Sequence, residues 1–193
     1  FPASYQPELY RVPTTGGRVD QIFTIPAEYV QISKDGKVMV YHDKVGGENE
    51  WRKHHVSSVT RDLWTYDVDQ DKHTMITSFK GEDRQPIFDD SEENLYYLSE
   101  ESGNFNVHKL SIENPKETEQ LTSFESFPVR FLSFGNGTLA FGYDGELYTM
   151  REGQEPKKVD VNIRTQPVDN NDNYISIKDG VQEMDVSPNG KEI

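Results

Sequence analysis

The sequence contains no cysteine, which excludes disulfides, thiolate nucleophiles and thiolate metal sites. It is also short of positive charge: 20 Lys and Arg stand against 34 Asp and Glu, a net charge of −14. Such a field repels a polyphosphate partner, and no basic run interrupts it, so nucleic-acid binding is not expected. No apolar run approaches the ~20 residues that cross a bilayer as a helix. The opening residues, Phe1 to Tyr5, lack the charged region and apolar stretch of a signal peptide. In a segment of a longer protein, that absence says nothing about the parent's address. Helical periodicity is missing throughout. The apolar share is low at 33%, yet the ten Tyr, ten Phe and two Trp sit in recurring apolar segments, unlike a disordered chain.

What is present is a repeat. One unit runs through Val30 to Tyr41, Asp62 to Asp67 and Met75 to Phe79. A second runs through Gln85 to Asp90, Asn94 to Leu98, Phe105 to Leu110 and Gln120 to Phe124. A third holds Val129 to Ser133, Thr138 to Phe141, Glu146 to Met150 and Lys158 to Val161. The Thr-Ser-Phe strings at Thr77 and Thr122 lie ~45 residues apart, a blade-sized period. The first unit carries extra length between Tyr41 and Asp62, a loop insertion. Asp35-Gly36, Asn136-Gly137, Asp144-Gly145 and Asn189-Gly190 are hairpin signals, because these pairs readily take positive φ. Four short β segments per unit predict an all-β fold, a partial β-propeller of four-stranded antiparallel blades.

Both ends read as incomplete blades. Glu8 to Val12 and Val19 to Phe23 match the last two strands of a blade, and Met184 to Ile193 opens a new one. A blade cut in mid-strand leaves an unpaired edge and a bare apolar face. The chain is therefore expected to be a segment of a longer protein, and to self-associate when isolated. Between Asn162 and Gly180 the repeat fades into a polar, turn-rich stretch, read as a linker or a crossing between blades.

Sites for chemistry are few. Asp67-Val68-Asp69-Gln70-Asp71 resembles the start of a calcium loop, but Lys72 and Ser78 stand where an EF-hand needs Gly and Glu. It reads as a hairpin tip. No His-Glu-x-x-His and no Gly-x-Ser-x-Gly occurs, and no Ser, His and Asp set stands out. No catalytic, metal-binding or cofactor-binding residue is therefore expected in this chain. The best contact surface is the loop Trp51, Arg52, Lys53, His54 and His55, an aromatic beside cations on a rigid scaffold. Asp83, Arg84 and Arg130 are expected to form structural ion pairs in the propeller interior. Asn136-Gly137-Thr138 matches a glycosylation sequon inside an expected hairpin.

Longer strings carry a resemblance. Ser33 to Lys37 and Ser187 to Lys191 have the turn motif shared by TolB-type, tricorn and prolyl-oligopeptidase-type propellers. His55 to Trp64, Gly81 to Phe88, Pro128 to Ser133 and Tyr143 to Tyr148 resemble the propeller of tricorn-like serine peptidases. In that family a six-bladed propeller precedes a seven-bladed one, a PDZ domain and catalytic domains. The resemblance implies that residues 1–161 are later blades of the first propeller, 162–180 a junction and 181–193 the start of a second propeller. One departure is Phe134 to Gly137, which alters a hairpin and no chemistry. None of the family's catalytic motifs falls in this chain. The implied role is to gate or channel peptides, or to mediate assembly, in a periplasmic or extracellular parent. The implied partners are peptides or unfolded protein and the parent's remaining blades and catalytic domains. A TolB-like module that docks a protein or glycan, and the propeller of a dipeptidyl-peptidase-type hydrolase, are the alternatives. The sequence beyond Ile193 would discriminate among the three.

Overall fold

In the computed structural model the described residues are 6–44, 51–164 and 183–191. The chain divides into two compact units, Phe1–Asp160 and Val161–Ile193. In the first, β1 (Tyr10–Arg11) and β2 (Asp20–Gln21) form a short antiparallel pair. Three four-stranded sheets follow, each a meander. The first sheet holds β3 (Ala27–Ile32), β4 (Val38–Asp43), β5 (Leu63–Asp67) and β6 (Lys72–Met75). The second holds β7 (Asp83–Phe88), β8 (Asn94–Ser99), β9 (Asn106–Ser111) and β10 (Thr118–Gln120). The third holds β11 (Arg130–Gly135), β12 (Thr138–Tyr143), β13 (Glu146–Met150) and β14 (Lys157–Lys158).

Sheets one and two are covered on both faces by their neighbours and sheet three on one, so the strands of the first two alternate between two apolar faces. Val40 and Leu63 pack with Tyr97, Leu95 and Leu110 between sheets one and two. Tyr96, Leu98 and Val107, on the other face of sheet two, pack with Leu132, Leu139 and Phe141 of sheet three. Phe23, Ala27, Tyr41 and Tyr66 close sheet one against the β1–β2 segment. The innermost strands meet, with β7 packed between β3 and β11, and β7 and β8 are almost wholly buried. This is the radial stacking of propeller blades.

The turns form as their residues dictate. Asn136 and Gly137 have φ of 54° and 66°, and Asp144 and Gly145 have 50° and 73°, both central positions being left-handed as a tight hairpin requires. In the first sheet Ser33 Oγ donates to Asp35 Oδ1 at 2.6 Å, and Lys37 N donates to the same oxygen at 3.0 Å. In the second unit Ser187 Oγ and Lys191 N donate to Asn189 Oδ1 at 2.6 and 3.0 Å, an equal turn. The described part of residues 181–193 shows this turn and no strand; residues 181–182, 192 and 193 lie outside the described residues, as do 165–180 of the expected junction.

The Thr-Ser-Phe strings are not strand ends, as the repeat led us to expect. The fourth strands finish before them, at Met75 and Gln120. Their threonines turn inward instead. Thr77 Oγ1 accepts from Leu63 N at 2.9 Å, and Thr122 Oγ1 accepts from Val107 N at 2.9 Å, while Thr122 donates to Asn106 Oδ1. Each hydroxyl satisfies an amide at the start of its sheet's third strand, the first residue of β5 and the second of β9. Thr122→Val leaves the Val107 amide unpaired in the interior and is expected to cost roughly 1–3 kcal/mol. Urea denaturation checks this, with Thr122→Ser as the variant that retains the bond.

Candidate active surface at the inner strands

Each inner strand carries a bulge at one recurring position, and each bulge contains a non-glycine residue with positive φ. These are Tyr29 at 53°, Gln85 at 56° and Phe131 at 56°. The register shifts fall between Glu28 and Gln31, Arg84 and Ile87, and Arg130 and Ser133. A left-handed conformation at such residues costs on the order of 1–3 kcal/mol each and persists only where the surroundings enforce it. Bulges re-aim side chains. Here they set Glu28-Tyr29, Arg84-Gln85 and Arg130-Phe131 in equivalent places on three adjoining strands.

The enforcing contacts cross between sheets. Gln85 N donates to His42 Nδ1 at 3.0 Å, and Gln85 Oε1 accepts from Leu132 N at 3.2 Å. The bond from Gln85 leaves Nδ1 of His42 bare, so its ring proton sits on Nε2, which faces Glu28 at 3.4 Å. Burial keeps His42 neutral by lowering its pKa. The bond from His42, then that from Lys44 at 2.7 Å, pulls Glu28 down to about 2 against the effect of burial.

Arg61 Nη1 lies 2.6 Å from Glu82 Oε1, and Arg84 Nη2 lies 3.2 Å from Glu82 Oε2, all three side chains buried. Glu82 therefore supplies the carboxylate expected of Asp83. Asp83 points the other way, to the hydroxyls of Ser99 and Thr77. Burial lowers Arg84 to about 10. Its guanidinium lies over the Phe105 ring at 4.0 Å. Arg130 lies between two rings, 4.7 Å from that of Trp51 and 5.8 Å from that of Phe105.

The insertion loop of sheet one thus reaches sheet three. Trp51 meets Phe131 edge to face at 6.2 Å, Lys53 Nζ donates to Ser126 O at 3.4 Å, and His54 N donates to Glu100 Oε1 at 3.2 Å. Arg52 is exposed. His55 Nε2 lies 2.8 Å from Ser57 Oγ, but that hydroxyl also receives Val59 N and belongs to a local turn. Trp51, Phe127, Arg130, Phe131, Tyr143 and Leu147 line a recess of about 440 Å³. Its outer wall is the free face of sheet three. Leu147 pairs with Gly142 as Leu63 pairs with His42 and Val107 with Leu98. Leu63 and Val107 are 0% exposed beneath the next sheet, whereas Leu147 is 55% exposed. The recess partners Phe127, Phe131, Tyr143 and Leu147 were not foreseen; repeat alignment through the bulges would have found Phe131 opposite Gln85.

The Asp67–Asp71 string forms the β5–β6 turn, with Asp67 accepting from Gln70 N, Asp71 from the Tyr66 hydroxyl, and Asp69 facing Lys37 at 3.8 Å. Among the described residues no group of three His, Asp or Glu side chains is arranged to hold a metal ion. No helix of the described residues is long and apolar enough to cross a membrane.

Stacked four-stranded meanders with inner strands converging define a β-propeller segment. Residues 2–156 match the model of the tricorn protease N-terminal beta propeller domain, and the chain belongs to that family. It is similar in structure to the tricorn protease (TM-score 0.69, 17% identity), covering 83% of this chain and 15% of that one. It is also similar to TolB from Acinetobacter baumannii (TM-score 0.60, 13% identity; 79% and 37% covered). A puromycin-hydrolysing peptidase of Mycobacterium tuberculosis aligns with a TM-score of 0.54 at 10% identity, over 83% of this chain and 28% of that one. The chain thus spans well under half of each of these proteins. No curated protein sequence matches it.

Proposed function

We propose that this chain is a non-catalytic propeller part of a larger serine peptidase, periplasmic or extracellular, and that it contacts peptides on their way to catalytic domains elsewhere in the parent. The observation that carries this reading is the recess at Trp51, Arg130 and Phe131, where an aromatic loop and a cation meet the inner strands. Extended peptides bind through apolar side chains in such pockets, and Trp and Arg are the residue types that dominate contact energy. Asp83, Arg84 and Arg130 belong to the frame around it, holding the inner strands in place. The parent's other blades and its catalytic domains are the remaining partners in this reading, and residues 162–180 and 181–193 are its junction and the opening of a second propeller.

The test is binding of a dye-labelled extended peptide rich in apolar side chains, followed by anisotropy. Trp51→Ala is expected to weaken binding about tenfold, or about 1.4 kcal/mol. Equal affinity in Trp51→Ala and Phe131→Ala would sink the peptide-contact reading. It would leave a propeller that docks a folded partner, as in a TolB-like module.

A further inference from the structure

The two seams between the sheets share a backbone and differ in chemistry. In the first seam, between sheets one and two, Asp83 N donates to Arg61 O at 2.9 Å; in the second, between sheets two and three, Val129 N donates to Phe105 O at 2.9 Å. Val129 therefore stands where Asp83 does. The bonds of Thr77 and Thr122 align Ile76 to Phe79 with Leu121 to Phe124. The strand pairs Leu98–Val107 and Gly142–Leu147 align Tyr97 with Phe141. Each seam has a recess beside its Thr-Ser-Phe string. The second seam thus acts as an internal control for what the fold alone requires.

At the second seam the fold is served by apolar residues. Val129 is 0% exposed and Phe141 2%, and Phe124 packs on their cluster and stacks on Tyr143 at 3.9 Å. At the first seam Asp83, 2% exposed, and the equally buried Tyr97 line the floor of a recess of about 570 Å³. Asp83 Oδ1 is buried with no hydrogen-bond partner among the described residues. Arg61 and Arg84 do not answer it, because both are turned to Glu82. A carboxylate oxygen out of water and without a donor destabilises the fold that holds it. Packing does not demand it, since Val129 fills the same place. The half-buried walls are Ile76, Pro115 and Phe79, whose ring lies against Gly81 and leaves no room for a Cβ there. Lys80, Lys116 and Glu101 stand exposed at the rim.

We propose that this recess binds a short peptide by its two charged ends, the free ammonium on Asp83 at the floor and the carboxylate on Lys80 and Lys116 at the rim. A group that satisfies Asp83 must bring hydrogens and favour positive charge, and a primary ammonium has three donors. Two acids and two lysines leave the recess neutral in sum. A ligand with one charge of each sign matches it better than a simple cation or anion. Among the described residues no group of three His, Asp or Glu side chains could hold a metal ion, so the cation is an ammonium. Asp83 is already out of water in the folded chain, so an entering ammonium bears only its own desolvation. The volume lies in the range of small-ligand sites, and the walls offer apolar cover to the peptide between its ends. This recess shares no lining residue with the one at Trp51 and does not depend on that reading.

The test is titration of the intact chain with dialanine, followed by the amide NMR shifts of Ser78, Lys80 and Lys116. Saturable shifts are expected. N-acetyl-dialanine, which has no ammonium, should bind at least about tenfold more weakly, the loss expected for a hydrogen bond to a buried charge. Dialanine amide, which has no carboxylate, should bind about threefold more weakly, in keeping with an exposed charge pair. Asp83→Asn should reproduce the tenfold loss, and Asp83→Val, the residue of the second seam, serves if that variant folds poorly. Lys80→Ala with Lys116→Ala should remove the preference for dialanine over its amide. Trp51→Ala should leave dialanine affinity unchanged, which separates this site from the Trp51 recess. Shifts that do not saturate would mean that the recess holds water only, and they overturn the proposal. Equal affinity for the acetylated peptide, or undiminished affinity in the Asp83 variants, does the same.

Discussion

Phe105→Ala is expected to remove about 3–5 kcal/mol of stability, the range for truncating a fully buried aromatic ring. Phe105 is 0% exposed and belongs to the cluster of Ile87, Leu98, Val129, Leu132 and Phe141 between sheets two and three. Its ring also supports two guanidinium groups, Arg84 at 4.0 Å and Arg130 at 5.8 Å. Truncation therefore opens a cavity and removes a cation–π surface from Arg130 and from Arg84, whose charge burial already disfavours. The measurement is the denaturant midpoint at constant m-value. A loss under about 1.5 kcal/mol would mean that the seam collapses onto the void, as volume-tolerant sites do.

Most of the frame was legible because its signals are local. Asp35-Gly36, Asn136-Gly137 and Asp144-Gly145 announce left-handed turns in their residue types, and each turn is found where it was read, with φ of 74° at Gly36, 66° at Gly137 and 73° at Gly145. The alternating segments between them became strands of three meanders. The inner-strand bulges were not legible, since Tyr29, Gln85 and Phe131 are residue types that ordinarily avoid positive φ. Tertiary bonds such as Gln85 N to His42 enforce them, and those bonds join residues far apart in the chain. The same reason hid the true ion pair. Glu82 and Asp83 are adjacent, so they point to opposite sides of the strand entrance, and only the fold decides which one meets Arg61. The threonines of the Thr-Ser-Phe strings were visible as a repeat, but their inward hydroxyl bonds were not, because a strand end and a capping turn share the same composition.

Position by position, the first seam places Arg61, Asp62, Glu82 and Asp83 where the second places Phe105, Asn106, Pro128 and Val129. One seam is uncharged at these positions and the other ionic, although Arg61, Glu82 and Asp83 are as buried as Phe105, Asn106 and Val129. A buried ion pair contributes little net stability over an apolar replacement, but breaking it by removing one partner is costly. The ionic seam is therefore the more sensitive to single changes.

Glu82→Gln is the change that exposes this sensitivity. It leaves Arg61 and Arg84, both buried and both previously turned to one carboxylate, as like charges in a shared space. Arg130 adds a third positive charge near Arg84. The expected loss is about 3–5 kcal/mol, because buried Arg61 loses its carboxylate and Arg84 loses its contact with Glu82 at once. Salt should restore little of it, since screening acts weakly on buried charges. The double variant Arg61→Gln with Glu82→Gln should be more stable than the sum of the single losses predicts, by about 0.5–3 kcal/mol, because one uncompensated charge is removed with its partner. Denaturant unfolding of the four proteins in that cycle measures the coupling directly. A Glu82→Gln loss below about 1 kcal/mol would match an exposed surface pair and would mean water reaches the seam. A coupling near zero would show that Arg61 and Arg84 each find another partner when Glu82 is neutral. The larger coupling would establish Glu82 as the shared counter-charge that lets two arginines stand side by side where the inner strands meet.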